Sequence, residues 1–148
     1  MKYFTIEEME HSAIADAKGI INKIPPKFIK NYVELIEKVL DPIRAQYTNP
    51  IYVNSGYRCK ELNEAVGGVK TSQHTCINDS AAADIDTNKG RDANKVLFHI
   101  IKNLIQTGQI KVDQLINENN YMWIHVSYKI YGKNRNQILA LWKRTLPL

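Results

Sequence analysis

At 148 residues, with 44% hydrophobic and 24% charged, the chain has the size and balance of one soluble globular domain over residues 1–148, which excludes a disordered or fibrous protein. No apolar run approaches the roughly 20 residues of a membrane span, and MKYFTIEEMEHS lacks the basic start and apolar core of a secretory signal, so a cytoplasmic origin is expected. The net charge of +5 is carried by the last twenty residues, where Lys129, Lys133, Arg135, Lys143 and Arg144 meet no acid, leaving the first 128 neutral. Such an end suits either a solvated surface or an anionic partner: nucleic acid, membrane or wall polymer.

The first strong periodicity lies in PPKFIKNYVELIEKVLDPIRAQY. There Phe28, Ile29, Tyr32, Val33, Ile36, Val39, Leu40 and Ile43 recur at three and four residues, predicting a core helix kinked at Pro42. PIYVNSGYR follows as a short strand, with Ile51 and Val53 alternating with Tyr52 and Asn54 before a Ser-Gly turn. A second amphipathic helix is predicted from Asp92 to Gln106, with Ala93, Val96, Leu97, Ile100, Ile101, Leu104 and Ile105 on its buried stripe, His99 on the polar side and Gly108 as its stop. IKVDQLINE and YMWIHVSYKIY read as two strands of a hairpin joined at the Asn-Asn pair. In the second strand Met122, Ile124, Val126 and Tyr128 face the core, while Trp123, His125 and Ser127 face away from it. The two cysteines, Cys59 and Cys76, are expected to be reduced in a chain without a secretory signal.

One histidine stands in the polar stretch SQHTCINDSAAADI, ten residues before an aspartate. His74, Asp84 and His125 together make a two-imidazole, one-carboxylate set, which suits zinc with a fourth position left for water. Spacing alone does not separate this from ordinary surface histidines, because no short local motif joins the three.

The order of SGYRC, LNEAVGG, SQH, AAADI and WIHVSY adds a further signal, supported by FTIEEMEHSAIA near the start and VLDPIRAQY before the first strand. These segments, covering nearly the whole chain, resemble the zinc D-Ala-D-Ala carboxypeptidases and L-alanyl-D-glutamate endopeptidases that cut peptidoglycan peptides, especially the small phage and bacterial enzymes. The resemblance implies a hedgehog-like α+β fold, an antiparallel sheet with helices packed on one side. It implies Zn²⁺ as cofactor, with His74, Asp84 and His125 as ligands, Arg58 holding the substrate and steadying the oxyanion, and Ser72 and Trp123 in the substrate site. Glu118, the only acid between Asp113 and His125, is the corresponding general base.

The chain departs from the family pattern S-x-H-x-x-G-x-A-x-D by three extra residues between His74 and Asp84, and by Ser80 where glycine is usual. Cys76, Asp79 and Asp86 therefore compete as ligands. Glu118 also stands seven residues before His125, where some relatives use six or three. The expected function is zinc-dependent cleavage of peptidoglycan stem peptides or cross-links by a monomer that reaches the wall after release from the cytoplasm. A non-catalytic zinc-stabilised wall-binding module of the same fold is the alternative, and no nucleic-acid partner is expected, since no ordered basic-aromatic motif accompanies the basic end.

Overall fold

The computed structural model describes residues 1–142, so Lys143 and Arg144 of the basic end lie outside the described residues. Two short helices open the chain, α1 (Ile6–Glu10) and α2 (Ala13–Lys18). Thr5 and Glu8 form a reciprocal capping box on α1, and Gly19 ends α2 in the left-handed conformation.

The long apolar periodicity becomes α3 (Pro26–Leu35), a π-helical turn over Ile36–Leu40, and α4 (Asp41–Tyr47). The expected irregularity at Pro42 is therefore taken up in the turn before it. A proline ring clashes with the carbonyl four residues back, and the wider π turn relieves that crowding. Tyr32, Leu35, Ile36, Val39 and Ile43 are fully buried on this segment's inner face. Each such side chain contributes about 1.5–3 kcal/mol through removal from water.

Five strands form one sheet in the order β1-β2-β4-β3-β5, comprising β1 (Tyr52–Ser55), β2 (Ser80–Asp86), β3 (Gln114–Glu118), β4 (Trp123–Lys129) and β5 (Gln137–Leu141). Two of them were not expected from sequence. β2 contains three consecutive alanines, weak strand formers whose preference is overridden by full burial between β1 and β4. β5 lies in the basic end and pairs with β3 in parallel, so the sheet is antiparallel except at that edge.

Helices cover one face of the sheet, as the α+β reading expected. Ala81, Ala83, Ile85, Leu115, Ile124 and Val126 enter a common core with α3, α4 and α6 (Arg91–Gln106). Two polar bonds fix α3 to β2: Asn31 donates to the Ser80 carbonyl at 3.0 Å, and Tyr32 Oη donates to the Ala82 carbonyl at 2.9 Å.

The buried stripe of α6 is rotated from the predicted one. Val96 is exposed, while Asn94 and Phe98 are buried. Asn94 causes the rotation: its carbonyl accepts from the Thr87 backbone and hydroxyl, and its amide donates to the Tyr121 carbonyl at 2.9 Å. A polar side chain thus locks the helix start between the end of β2 and the β3–β4 turn. His99 is exposed, as its place on the polar side required.

The β3–β4 hairpin forms, though its turn is longer than the Asn-Asn pair. Asn119, Asn120 and Tyr121 all adopt positive φ, and the Met122 amide closes the loop on the Glu118 carbonyl at 3.0 Å. Both thiols are free, with Cys76 buried and Cys59 capping α5 (Lys60–Ala65) through a bond from the Leu62 amide.

Candidate active site

The sheet face away from the helices collects the chemistry. Antiparallel pairing sets Asp84 of β2 directly opposite His125 of β4, and His125 directly opposite Ile116 of β3. Side chains at opposed positions share a face. Asp84 Oδ1 consequently lies 3.0 Å from His125 Nδ1.

His74 arrives from outside the sheet, in a short 3₁₀ turn (Gln73–Thr75) capped by Ser72 Oγ. Its Nε2 is 3.3 Å from the same Asp84 oxygen. Its Nδ1 donates to the Gly56 carbonyl at 2.6 Å, an assignment that leaves Nε2 as a lone pair facing Asp84 and His125.

The three extra residues between His74 and Asp84 do not separate the pair. They are absorbed in a second tight turn (Ile77–Asp79), with Cys76, Asn78 and Asp79 in the left-handed region, before β2 begins at Ser80. Ser80 itself is extended, at φ −104° and ψ 170°, so no glycine is needed there. The competitors go elsewhere. Among the described residues, the group able to hold a metal is His74, Asp84 and His125, with ligand atoms all within 4.8 Å of one another. Burial, with Asp79 nearby adding to it, raises the Cys76 thiol to about 12, and Asp86 accepts bonds from Asn54, Asn88 and Asn94.

These donors fit a zinc ion. Tetrahedral ligands at about 2.1 Å from the metal stand about 3.4 Å apart, close to the 3.0 and 3.3 Å separations around Asp84. The electrostatics agree. Burial alone pushes the Asp84 carboxyl up, but the two imidazoles beside it reverse this and hold it well below the usual carboxylate range. Burial lowers His74 against the opposing pull of Asp84, which favours the neutral, ligating imidazole.

Arg58 is built in from the other side. Its Nη2 lies 3.5 Å from Asp84 Oδ2, Nε donates to Ser55 Oγ at 3.0 Å, and Nη1 reaches Asn63 Oδ1 at 3.4 Å. The LNEAVGG segment explains that placement, because Asn63 donates to the Val69 carbonyl, and a Cβ on Gly68 would fall 2.1 Å from Asn63 Oδ1. Only glycine lets this loop close against the asparagine that steadies Arg58.

Glu118 is 8% exposed and shares the sheet face of His125. The hairpin opposes residue 116 to residue 125, so across the seven-residue spacing Glu118 sits two positions along β3 on the same side, opposite Trp123. Glu118, His125 and Ser72 line one groove of about 460 Å³, which Arg58 does not line. Trp123 is half-buried at the Glu118 end of the hairpin.

Two supporting groups were not found by sequence reasoning. Gly56 holds His74 through its carbonyl and packs so closely on α1 that an added Cβ would meet Met9 O at 2.4 Å and Met9 Cα at 2.8 Å. Replacing Gly56 with alanine is expected to destabilise the fold by about 1–3 kcal/mol and to weaken metal binding about 10- to 100-fold. Thermal unfolding and a zinc competition titration check this, and wild-type zinc affinity would contradict it. Asp113 is the other. It is fully buried and accepts from Gln73 Nε2 at 2.8 Å, from Arg135 Nε at 3.0 Å and from Arg135 Nη2 at 2.8 Å, with Lys129 Nζ at 3.7 Å. Burial raises its carboxyl, and the Arg135 and Gln73 bonds outweigh that to bring it to about 2. Asp113 thus ties the residue beside His74 to β4 and to the approach to β5, a long-range arrangement that has no local sequence signal.

One histidine and one aspartate on the sheet, a second histidine from the turn beside it and a glutamate on the same face make a donor set of the kind found in single-metal hydrolase sites. The match to a family model is specific within that class: residues 2–127 match the family described as Peptidase M15, and the chain belongs to that family. The family consists of zinc-dependent peptidases, so the chain is placed among metallopeptidases. No curated protein and no solved structure matches the chain.

Proposed function

We propose that this protein is a zinc peptidase that hydrolyses peptide bonds of peptidoglycan, in stem peptides or in cross-links. The observation that carries the reading is the convergence of His74, Asp84 and His125 in a chain of the M15 family, with Glu118 on the same sheet face. His74 Nε2, Asp84 Oδ1 and His125 Nδ1 would hold the ion, and zinc when bound supplies Lewis acidity and a water of lowered pKa.

The remaining work falls to the chain's own groups. Glu118 takes a proton from the attacking water as its oxygen bonds to the carbonyl carbon. Arg58, permanently charged and beside Asp84, steadies the negative charge that develops on the carbonyl oxygen. Glu118 then returns the proton to the departing nitrogen as the C–N bond breaks, yielding a carboxylate and an amine. Ser72 and Trp123 border the bound peptide.

Among the described residues no helix is long and apolar enough to cross a membrane, and the proposed site of action is the wall, reached after release from the cell. The test is incubation of the purified protein with defined muropeptides, with and without a chelator, and identification of fragments by mass. New amine and carboxylate ends that vanish with the chelator support the reading. Zinc-loaded protein that binds wall yet cuts no muropeptide would instead make it a binding module.

A further inference from the structure

The groove that begins at His125 and Glu118 does not end there. It runs along β4 to a second cluster, Lys129 on the same sheet face and Arg135 in the loop before β5. Lys129 is four residues beyond His125, about 13 Å at the rise of an extended strand. An extended peptide covers that distance in about four residues.

Lys129 and Arg135 share one buried carboxylate, that of Asp113. Arg135 commits Nε and Nη2 to it, while its side chain remains 49% exposed. Lys129 Nζ is the looser partner at 3.7 Å, with 27% of its side chain exposed. Among the described residues the pair therefore carries one positive charge more than Asp113 neutralises, on the wall of a groove whose nearby Ser72, Gln73 and Gln114 are neutral and whose lining carboxylate, Glu118, stands at the far end of β3 from Gln114. Neither cation has a part in the peptidase mechanism proposed above.

We propose that the Lys129–Arg135 end of the groove is a subsite for a carboxylate of the peptide substrate, held about four residues' length from the bond that is cut. Asp113 is the positioning residue of this subsite: it fixes the guanidinium by two parallel bonds and keeps the ammonium beside it. The subsite makes the enzyme selective for acidic peptides and sets the register in which they lie against Glu118. This rests on the peptidase reading of the same site.

The test uses two hydrolysis-resistant peptides, with the scissile amide replaced by a methylene-amine, titrated calorimetrically into the zinc-loaded protein. One carries a free carboxylate about four residues from the modified bond, and the other carries the same group as an amide. The acid is expected to bind about fivefold more tightly, and salt at about 0.5 M to narrow the gap. Lys129→Gln, which leaves the Asp113–Arg135 pair intact, is expected to abolish most of the difference. Equal affinities in the wild-type protein, binding of neither peptide, or a preference for the acid that survives Lys129→Gln would each overturn the proposal. Its failure is distinct from that of the peptidase reading: a protein that cleaves acid and amide substrates equally lacks the subsite, whereas one that cleaves nothing but binds the acid through Lys129 keeps it.

Discussion

Glu118→Gln is expected to lower the turnover of a cleavable muropeptide by about 10²–10⁴ while zinc content and thermal stability stay near wild type. Glutamine keeps the shape of the side chain but cannot accept the proton of the attacking water, and Glu118 is not among the three groups that converge on the metal position. The loss therefore falls on kcat, with KM little changed. Steady-state kinetics alongside metal analysis of the same preparation separates the effects. Full activity with full zinc would remove Glu118 from the chemistry, since a glutamate that merely fills the hairpin end is expected to tolerate this substitution.

Alanine at His74, Asp84 or His125 is expected to bring zinc well below one per chain and cleavage to background. Each substitution removes one of three protein ligands, and two remaining donors cannot define a tetrahedral site. Cys76→Ser is expected to leave zinc content unchanged, because the thiol is 1% exposed, raised to about 12 and outside the converging group. Metal analysis of the purified variants decides this. Zinc that survives Asp84→Ala but falls with Cys76→Ser or Asp79→Ala would show that the inserted loop supplies a different ligand.

Much of the architecture was legible in the sequence, because the helix at residues 26–47 and the hairpin at residues 114–129 carry clear hydrophobic periods. What escaped was decided by contacts distant in the chain. The alanine run of β2 has no strand preference of its own and becomes a strand through its neighbours on both sides. β5 is hidden in a basic stretch and pairs with β3 just beyond the point where Asp113 receives Arg135. The stripe of α6 was misplaced because Asn94, a polar residue, is buried by bonds to Thr87 and Tyr121 that no periodicity reveals.

The candidate ligand set was singled out only through resemblance. His74, Asp84 and His125 lie on a turn and two strands, and the pairing register, not spacing along the chain, brings the last two together. The inserted loop closes through three left-handed residues, Cys76, Asn78 and Asp79, an arrangement invisible to a pattern that asks for glycine. Arg58 was expected beside the reacting carbonyl; it lies against Asp84 at 3.5 Å, outside the groove that Glu118 lines, so its proposed hold on the developing oxyanion acts from the Asp84 side of the site.

A zinc ion held by three side chains is proposed to carry the hydrolysis. The most direct measurement strips the protein with a chelator, returns zinc in small steps, and follows bound metal and muropeptide cleavage in the same samples. Activity is predicted to be absent in the stripped protein, to rise in proportion to bound zinc and to level off at one ion per chain. Cleavage that persists undiminished after all metal has been removed, or one tightly bound zinc per chain with no cleavage of any muropeptide, would contradict it.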